Sequence, residues 1–263
     1  MTTSTGHGLG DHFSLITLTN GRGSSSWRQL CGRWQHERKR PYFELEGMSD
    51  VSQARGNAAA VWLNHHDTDW SLWVDDDMVV PIEAVDEFCK AALLHADSID
   101  LLSCCYVPKR PACGNMCVLF ESNQNVLGLG GGVVPIMGCG FGLVAIKRAL
   151  FEKIALGLPR VRWEQVGELG WPFFLPLITE YPGDPDGAFR QAGEDFSFCA
   201  RALCVGGRLA CDTRLRVGHR GGYTYHWEDA GQEVQRVDRI DLARKPSALD
   251  LRMAKETPPP CST

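Results

Sequence analysis

The chain has 263 residues, 44% hydrophobic and 22% charged, with a formal net charge of -5. This is the balance of an ordinary soluble globular protein with enough apolar material for one domain, and it gives no global attraction to nucleic acid. No apolar run approaches the roughly 20 residues of a membrane helix, and Met1-Thr-Thr-Ser-Thr-Gly6 lacks the basic start and apolar centre of a secretion signal.

The eleven cysteines are scattered rather than laid out as a disulfide framework, so reduced thiols and a cytoplasmic location are expected. Phe13 to Thr19 reads as a first strand, and Asn20 to Ser26 as a polar, glycine-containing loop able to approach a ligand. Arg28, Arg33, Arg38, Lys39 and Arg40 then concentrate positive charge in one early segment. From about Ser49 to His66 the residues Val51, Ala54, Ala58, Val61 and Trp62 fall at helical spacing and predict an amphipathic helix.

A short strand ending at Val74 runs into Asp75-Asp76-Asp77, and Pro81 suits the first turn of a helix reaching about His95. This alternation of strand and helix implies a parallel sheet. Ile99 to Val107 is a further strand, whereas Gly128 to Gly142, with seven glycines, reads as a mobile loop. Lys147 to Leu156 and Gly193 to Val205 are expected helices, separated by an irregular, surface-exposed stretch from Leu158 to Gly187. A strand from Arg208 to Val217 closes the domain, placed at 1–235, and 236–263 is expected to be a loose tail or a packed arm.

Three adjacent carboxylates after a buried strand repel one another unless a cation or strong donors neutralise them. In open α/β sheets ligands bind beyond the carboxyl ends of the strands, where the Asp run would lie. Carboxylates with phosphate and water suit Mg²⁺ or Mn²⁺, and an imidazole such as His219 favours Mn²⁺. A solvated turn is the plainer alternative for the Asp run. Glu194 and Asp195 could likewise serve only as acids in a helix's first turn.

Gly128-Leu-Gly-Gly-Gly132 is not followed by Gly-Lys-Ser/Thr, which argues against a nucleoside triphosphatase. Cys104, Cys105, Cys113 and Cys117 lack the paired C-x₂-C spacing of a zinc site. Trp163, Trp171, Phe173 and Phe174 offer either a stacking platform or core packing.

Val74-Asp-Asp-Asp-Met-Val-Val-Pro81 resembles the DxD segment of GT-A fold glycosyltransferases, particularly inverting family 2-like enzymes. Arg55-Gly-Asn57 resembles the helix before the DxD, and Gly138 to Arg148 resembles the glycine-rich segment near the donor sugar. Gly193-Glu-Asp-Phe196 resembles the ED helix, and Val217-Gly-His219 the late metal-binding histidine. The resemblance spans roughly Ser14 to Tyr225. It implies an α/β, Rossmann-like and mostly parallel central sheet flanked by helices.

By this resemblance Asp75, Asp77 and His219 would bind Mn²⁺ or Mg²⁺. Thr19, Arg55, Asn57, Asp75, Asp76 and Gly140 would hold a nucleotide sugar, with a UDP-sugar expected. Asp195 would be the base that activates the acceptor hydroxyl, with Glu194 as competitor. Thr17-Leu-Thr-Asn20 stands where many family 2 enzymes carry a proline-containing strand end. For the acceptor, the basic segment motivates a hydroxymethylated base in phage-type DNA, which would have to be flipped out of the duplex. A saccharide or protein hydroxyl is the rival, and a non-catalytic nucleotide-sugar-binding module or a metal-dependent nucleotidyltransferase or phosphatase stands outside the class.

Overall fold

The computed structural model describes residues 11–21, 23–48, 50–109, 116–180, 189–230 and 239–243. Strand β1 (Phe13–Thr19) leads into helix α1 (Ser25–Gly32), which Ser24 caps by accepting from the Trp27 N–H. After a wide helical turn at Arg33–Glu37 the chain forms β2 (Tyr42–Glu46). Helix α2 (Val51–His65) starts where the Asp50 carboxylate accepts the N–H groups of Ser52 and Gln53.

Next come β3 (Trp70–Asp75), the short β4 (Met78–Val79) and α3 (Ile82–Leu94), with Pro81 at the N-cap. Then follow β5 (Leu101–Cys104), β6 (Val118–Phe120), β7 (Gln124–Gly128), β8 (Val133–Cys139), β9 (Leu143–Lys147) and α4 (Arg148–Ala155). Two small hairpins, β10 (Val161–Trp163) with β11 (Glu168–Gly170) and β12 (Ile178–Glu180) with β13 (Phe189–Gln191), precede α5 (Glu194–Cys204). The described chain ends in β14 (Leu209–Asp212), β15 (Gly218–Arg220), β16 (Thr224–Tyr225) and β17 (Arg239–Ala243).

The central sheet has eight strands in the order β2-β1-β3-β9-β5-β14-β8-β6. β9 and β8 are antiparallel to every neighbour, so the other six strands share one direction. The fold is α/β with helices on both faces. Pleating sends successive side chains to opposite sides: Leu15, Leu72, Leu102 and Ala145 join one core with α1 and α3, while Ile16, Trp73, Leu101 and Val144 join the other with α2, α4 and α5.

Four expectations change. Gly128 to Gly142 is not a mobile loop, because Val133–Cys139 is a strand and Gly138, Gly140 and Gly142 sit where a Cβ would collide with Phe196, Tyr106 and Met78. Those glycines serve close packing. Helix α2 is not simply amphipathic: Ala54 to Ala60 are all buried, because the β10–β11 hairpin covers the side away from the sheet and Trp163 fills the space over Gly56. Leu158 to Gly187 is not wholly irregular or exposed, since it holds that hairpin and the fully buried Phe173 and Phe174, which belong to the core; 181–187 lie outside the described residues. Arg208 to Val217 is not one strand, as pairing stops at Asp212 and resumes at Gly218.

Backbone pairing also joins β17 to β7. Among the described residues, no helix is long and apolar enough to cross a membrane. Cys31, Cys89, Cys104, Cys105, Cys139, Cys199, Cys204 and Cys211 are thiols outside any disulfide; Cys113 and Cys261 lie outside the described residues.

Candidate functional site

β3 is buried as far as Val74, so the chain emerges at the carboxyl rim of the sheet as Asp75-Asp76-Asp77. Each carboxylate meets a different partner. Asp76 accepts from the Thr19 hydroxyl at 2.7 Å while its carbonyl accepts the Ser24 N–H at 2.9 Å, tying the end of β3 to the end of β1. Asp75 accepts from Arg55 Nη2 on both oxygens at 3.1 Å. Asp77 pairs with Lys109 through Oδ2 and turns Oδ1 towards His219.

Arg55 projects from α2 and is 3% exposed, with its guanidinium 5.1 Å from the centre of the Phe141 ring. Its Nε also reaches Glu194 Oε1 at 3.4 Å, so one buried cation joins β3 to the start of α5. The buried Nη1 has no partner. Burial pushes the Asp75 carboxyl above the usual range; Arg55 opposes the shift and Asp77 adds to it.

Glu194 and Asp195 open α5 but differ in surroundings. Glu194 takes the arginine, whereas Asp195 Oδ1 accepts the Phe196 N–H at 2.7 Å. Burial, then the neighbouring Glu194 charge, raises the Asp195 pKa to about 6 against the pull of that N–H and of Arg55. A carboxyl in that range can exchange a proton near neutrality.

His219 comes to the rim because β15 pairs with β4, setting His219 opposite Met78, next to Asp77. Its Nδ1 lies 2.8 Å from the Val107 carbonyl, which can only accept, so Nδ1 carries hydrogen. Nε2 is thereby left facing Asp77 Oδ1 at 3.4 Å, and that buried oxygen has no hydrogen bond. Tyr106 packs edge-on against the imidazole at 5.1 Å, and its hydroxyl accepts the Gly142 N–H at 3.0 Å. Burial raises the Asp77 pKa, but the facing His219 and Lys109 outweigh it and the net direction is down.

A carboxylate oxygen without a hydrogen bond beside an imidazole nitrogen is a donor pair that suits a divalent cation. Among the described residues no three His, Cys, Asp or Glu side chains form a ready cage. Asp77 and His219 could supply two ligands, with phosphate and water completing an Mg²⁺ or Mn²⁺ shell.

The structure thus brings together Asp75, Asp77, Arg55, Glu194 and His219, with Asp76 and Thr19 joined beside them. Gly140 lies at the same place: a Cβ there would stand 2.2 Å from the Tyr106 hydroxyl and 3.4 Å from Asp195 Oδ2. Asn57 points elsewhere, donating to the Gln53 carbonyl and to Gln165 on the β10–β11 turn. Tyr106 and Lys109 escaped the sequence reading. Their position just past β5, parallel to β3, is the signal that could have found them.

The early basic segment is largely neutralised within the chain. Arg33 pairs with Glu37 and Glu83, and Arg38 and Arg40 share Asp86.

No protein-family model matches the sequence, and no curated protein matches it. Among solved structures, a protein from STIV is 17% identical with a TM-score of 0.48, the match covering 86% of this chain and 97% of that one. A fragment of TarS from S. aureus is 12% identical with a TM-score of 0.43, over 77% of this chain and 58% of that one. A glycosyltransferase involved in glycosylation of the major capsid of PBCV-1 is 12% identical with a TM-score of 0.33, over 54% and 62%.

Proposed function

We propose that this chain is a metal-dependent glycosyltransferase that moves a sugar from a nucleoside-diphosphate sugar to an acceptor hydroxyl with inversion. The observation that carries the reading is the meeting, on one rim, of a carboxylate and an imidazole suited to a cation (Asp77 and His219, 3.4 Å apart) and a carboxyl whose pKa is raised to about 6, Asp195. A cation bound there supplies Lewis-acid neutralisation of the leaving diphosphate. Thr19 and Asp76, joined at the ends of β1 and β3, are the groups this reading assigns to the nucleotide. Arg55 holds Asp75 and Glu194 as fixed acceptors towards the donor's hydroxyls.

In the transfer step the acceptor oxygen attacks the sugar carbon from the face opposite the diphosphate. Its proton passes to Asp195, and the bond from the sugar carbon to phosphate oxygen breaks. Asp195 is the better base because Glu194 is committed to Arg55.

A saccharide or protein hydroxyl is the acceptor this surface favours. The β12–β13 hairpin leading into Asp195 exposes Ile178 and Phe189, and Phe196 follows, which suits an apolar sugar face. The paired arginines lend no support to a DNA acceptor. The testing experiment measures nucleoside diphosphate release from a panel of nucleotide sugars, UDP-sugars first, with Mn²⁺, with Mg²⁺ and with chelator. Metal-dependent release from one donor is expected; pyrophosphate or inorganic phosphate release instead would overturn the class.

A further inference from the structure

Besides the buried Arg55, the rim holds a more exposed cation, Lys109. Lys109 Nζ is paired with Asp77 Oδ2, the same carboxylate whose other oxygen is bare and faces His219. The lysine stem lies along β15–β16, with its Cβ and Cδ each 3.6 Å from where a Cβ on Gly221 would stand. Two residues earlier, Val107 accepts the His219 Nδ1 hydrogen, so the root of Lys109 and the imidazole belong to one fixed unit. The side chain itself is 40% exposed.

An ammonium and a divalent cation on a single partly buried carboxylate repel each other strongly. Lysine is also the cation best suited to leave, being a point charge with three donors on a flexible stem, and phosphate oxygens suit it as a second partner. We propose that Lys109 is an internal stand-in for the metal, which holds Asp77 until a divalent cation displaces it and then turns to the diphosphate oxygens arriving with that cation. The second half of this rests on the glycosyl-transfer reading above; the first does not.

The consequence is a coupling between metal and nucleotide. In the free protein Lys109 weakens metal binding by competition, and with diphosphate present it strengthens the ternary complex. The probe is Mn²⁺, titrated by calorimetry into wild type, Lys109→Met and Lys109→Arg, alone and with saturating nucleoside diphosphate.

Lys109→Met should bind Mn²⁺ alone about tenfold more tightly than wild type and gain about tenfold less from the nucleotide, a coupling of ordinary size. Lys109→Arg, which keeps the charge and grips a carboxylate through a fork, should bind Mn²⁺ alone no more tightly than wild type. Equal or weaker Mn²⁺ affinity in Lys109→Met, or no Mn²⁺ binding to either protein, overturns the proposal. Equal affinities with nucleotide still bound would do so while leaving the glycosyl-transfer reading in place. Tighter Mn²⁺ binding in Lys109→Met with no nucleotide effect on any protein would remove the diphosphate step and that reading together.

Discussion

Asp77 and Asp195 are the same side chain held in opposite electrostatic states. Asp77 faces an imidazole and an ammonium and stays ionised, whereas Asp195 is buried beside another acid and holds its proton to about pH 6. Asp77→Asn keeps the shape but loses the anionic ligand. Outer partners of a metal site already cost about 10–100-fold when lost, so metal-dependent diphosphate release should fall at least about 100-fold. The thermal midpoint should barely move, which separates ligand loss from unfolding.

For Asp195 the sign follows from its role. A general base works as the carboxylate, so kcat/KM should rise with pH through about 6 and then level off. Asp195→Asn should retain donor binding while transfer slows by roughly 10²–10⁴-fold. A pH profile that stays flat between 5 and 7, or that keeps the same inflection in Asp195→Asn, would move the base elsewhere.

At the scale of elements, legibility followed the strength of local signals. β1, α3 and α5 were visible because an apolar run, a proline at a helix start and acids in a first turn act on the residues beside them. β8 was invisible because its own Gly138 and the turn glycines Gly140 and Gly142 make sense only against Phe196, Tyr106 and Met78, which lie far away in sequence. The buried state of α2 was hidden for the same reason: small residues on every side permit burial but do not announce the hairpin that covers them. In the site, the Asp run stood out by its chemistry and His219 and Asp195 through the family resemblance, while Tyr106 and Lys109 did not, since one tyrosine and one lysine are common on any strand end.

The turn between β8 and β9 can be tested directly. A Cβ on Gly142 would stand 2.7 Å from Met78 Sδ and 2.8 Å from Tyr106 Cζ, both on buried residues. Gly142→Ala should therefore cost about 1–3 kcal/mol of stability by overpacking. It should also weaken Mn²⁺ binding, because Tyr106 braces His219. Urea unfolding that matches wild type would show that the turn is slack.

The whole molecule converges on Arg55. Helix α2 comes from the first half of the chain and α5 from the last third, and both meet the end of β3 at this one guanidinium. Removing it leaves Asp75 and Glu194 close together beneath the rim without a counter-ion, a state that typically costs about 3–5 kcal/mol. Arg55→Met should thus unfold at markedly lower urea. Arg55→Lys should recover only part of the loss, since a single ammonium does not reproduce the planar fork that reaches both carboxylates. Fluorescence from the eight tryptophans and far-UV circular dichroism, followed together, should still give coincident transitions. Were the two curves to separate in Arg55→Met, the arginine would be the tie that makes the α2 and α5 sides of the sheet unfold as one; coincident curves with an unchanged midpoint would reduce it to a ligand contact.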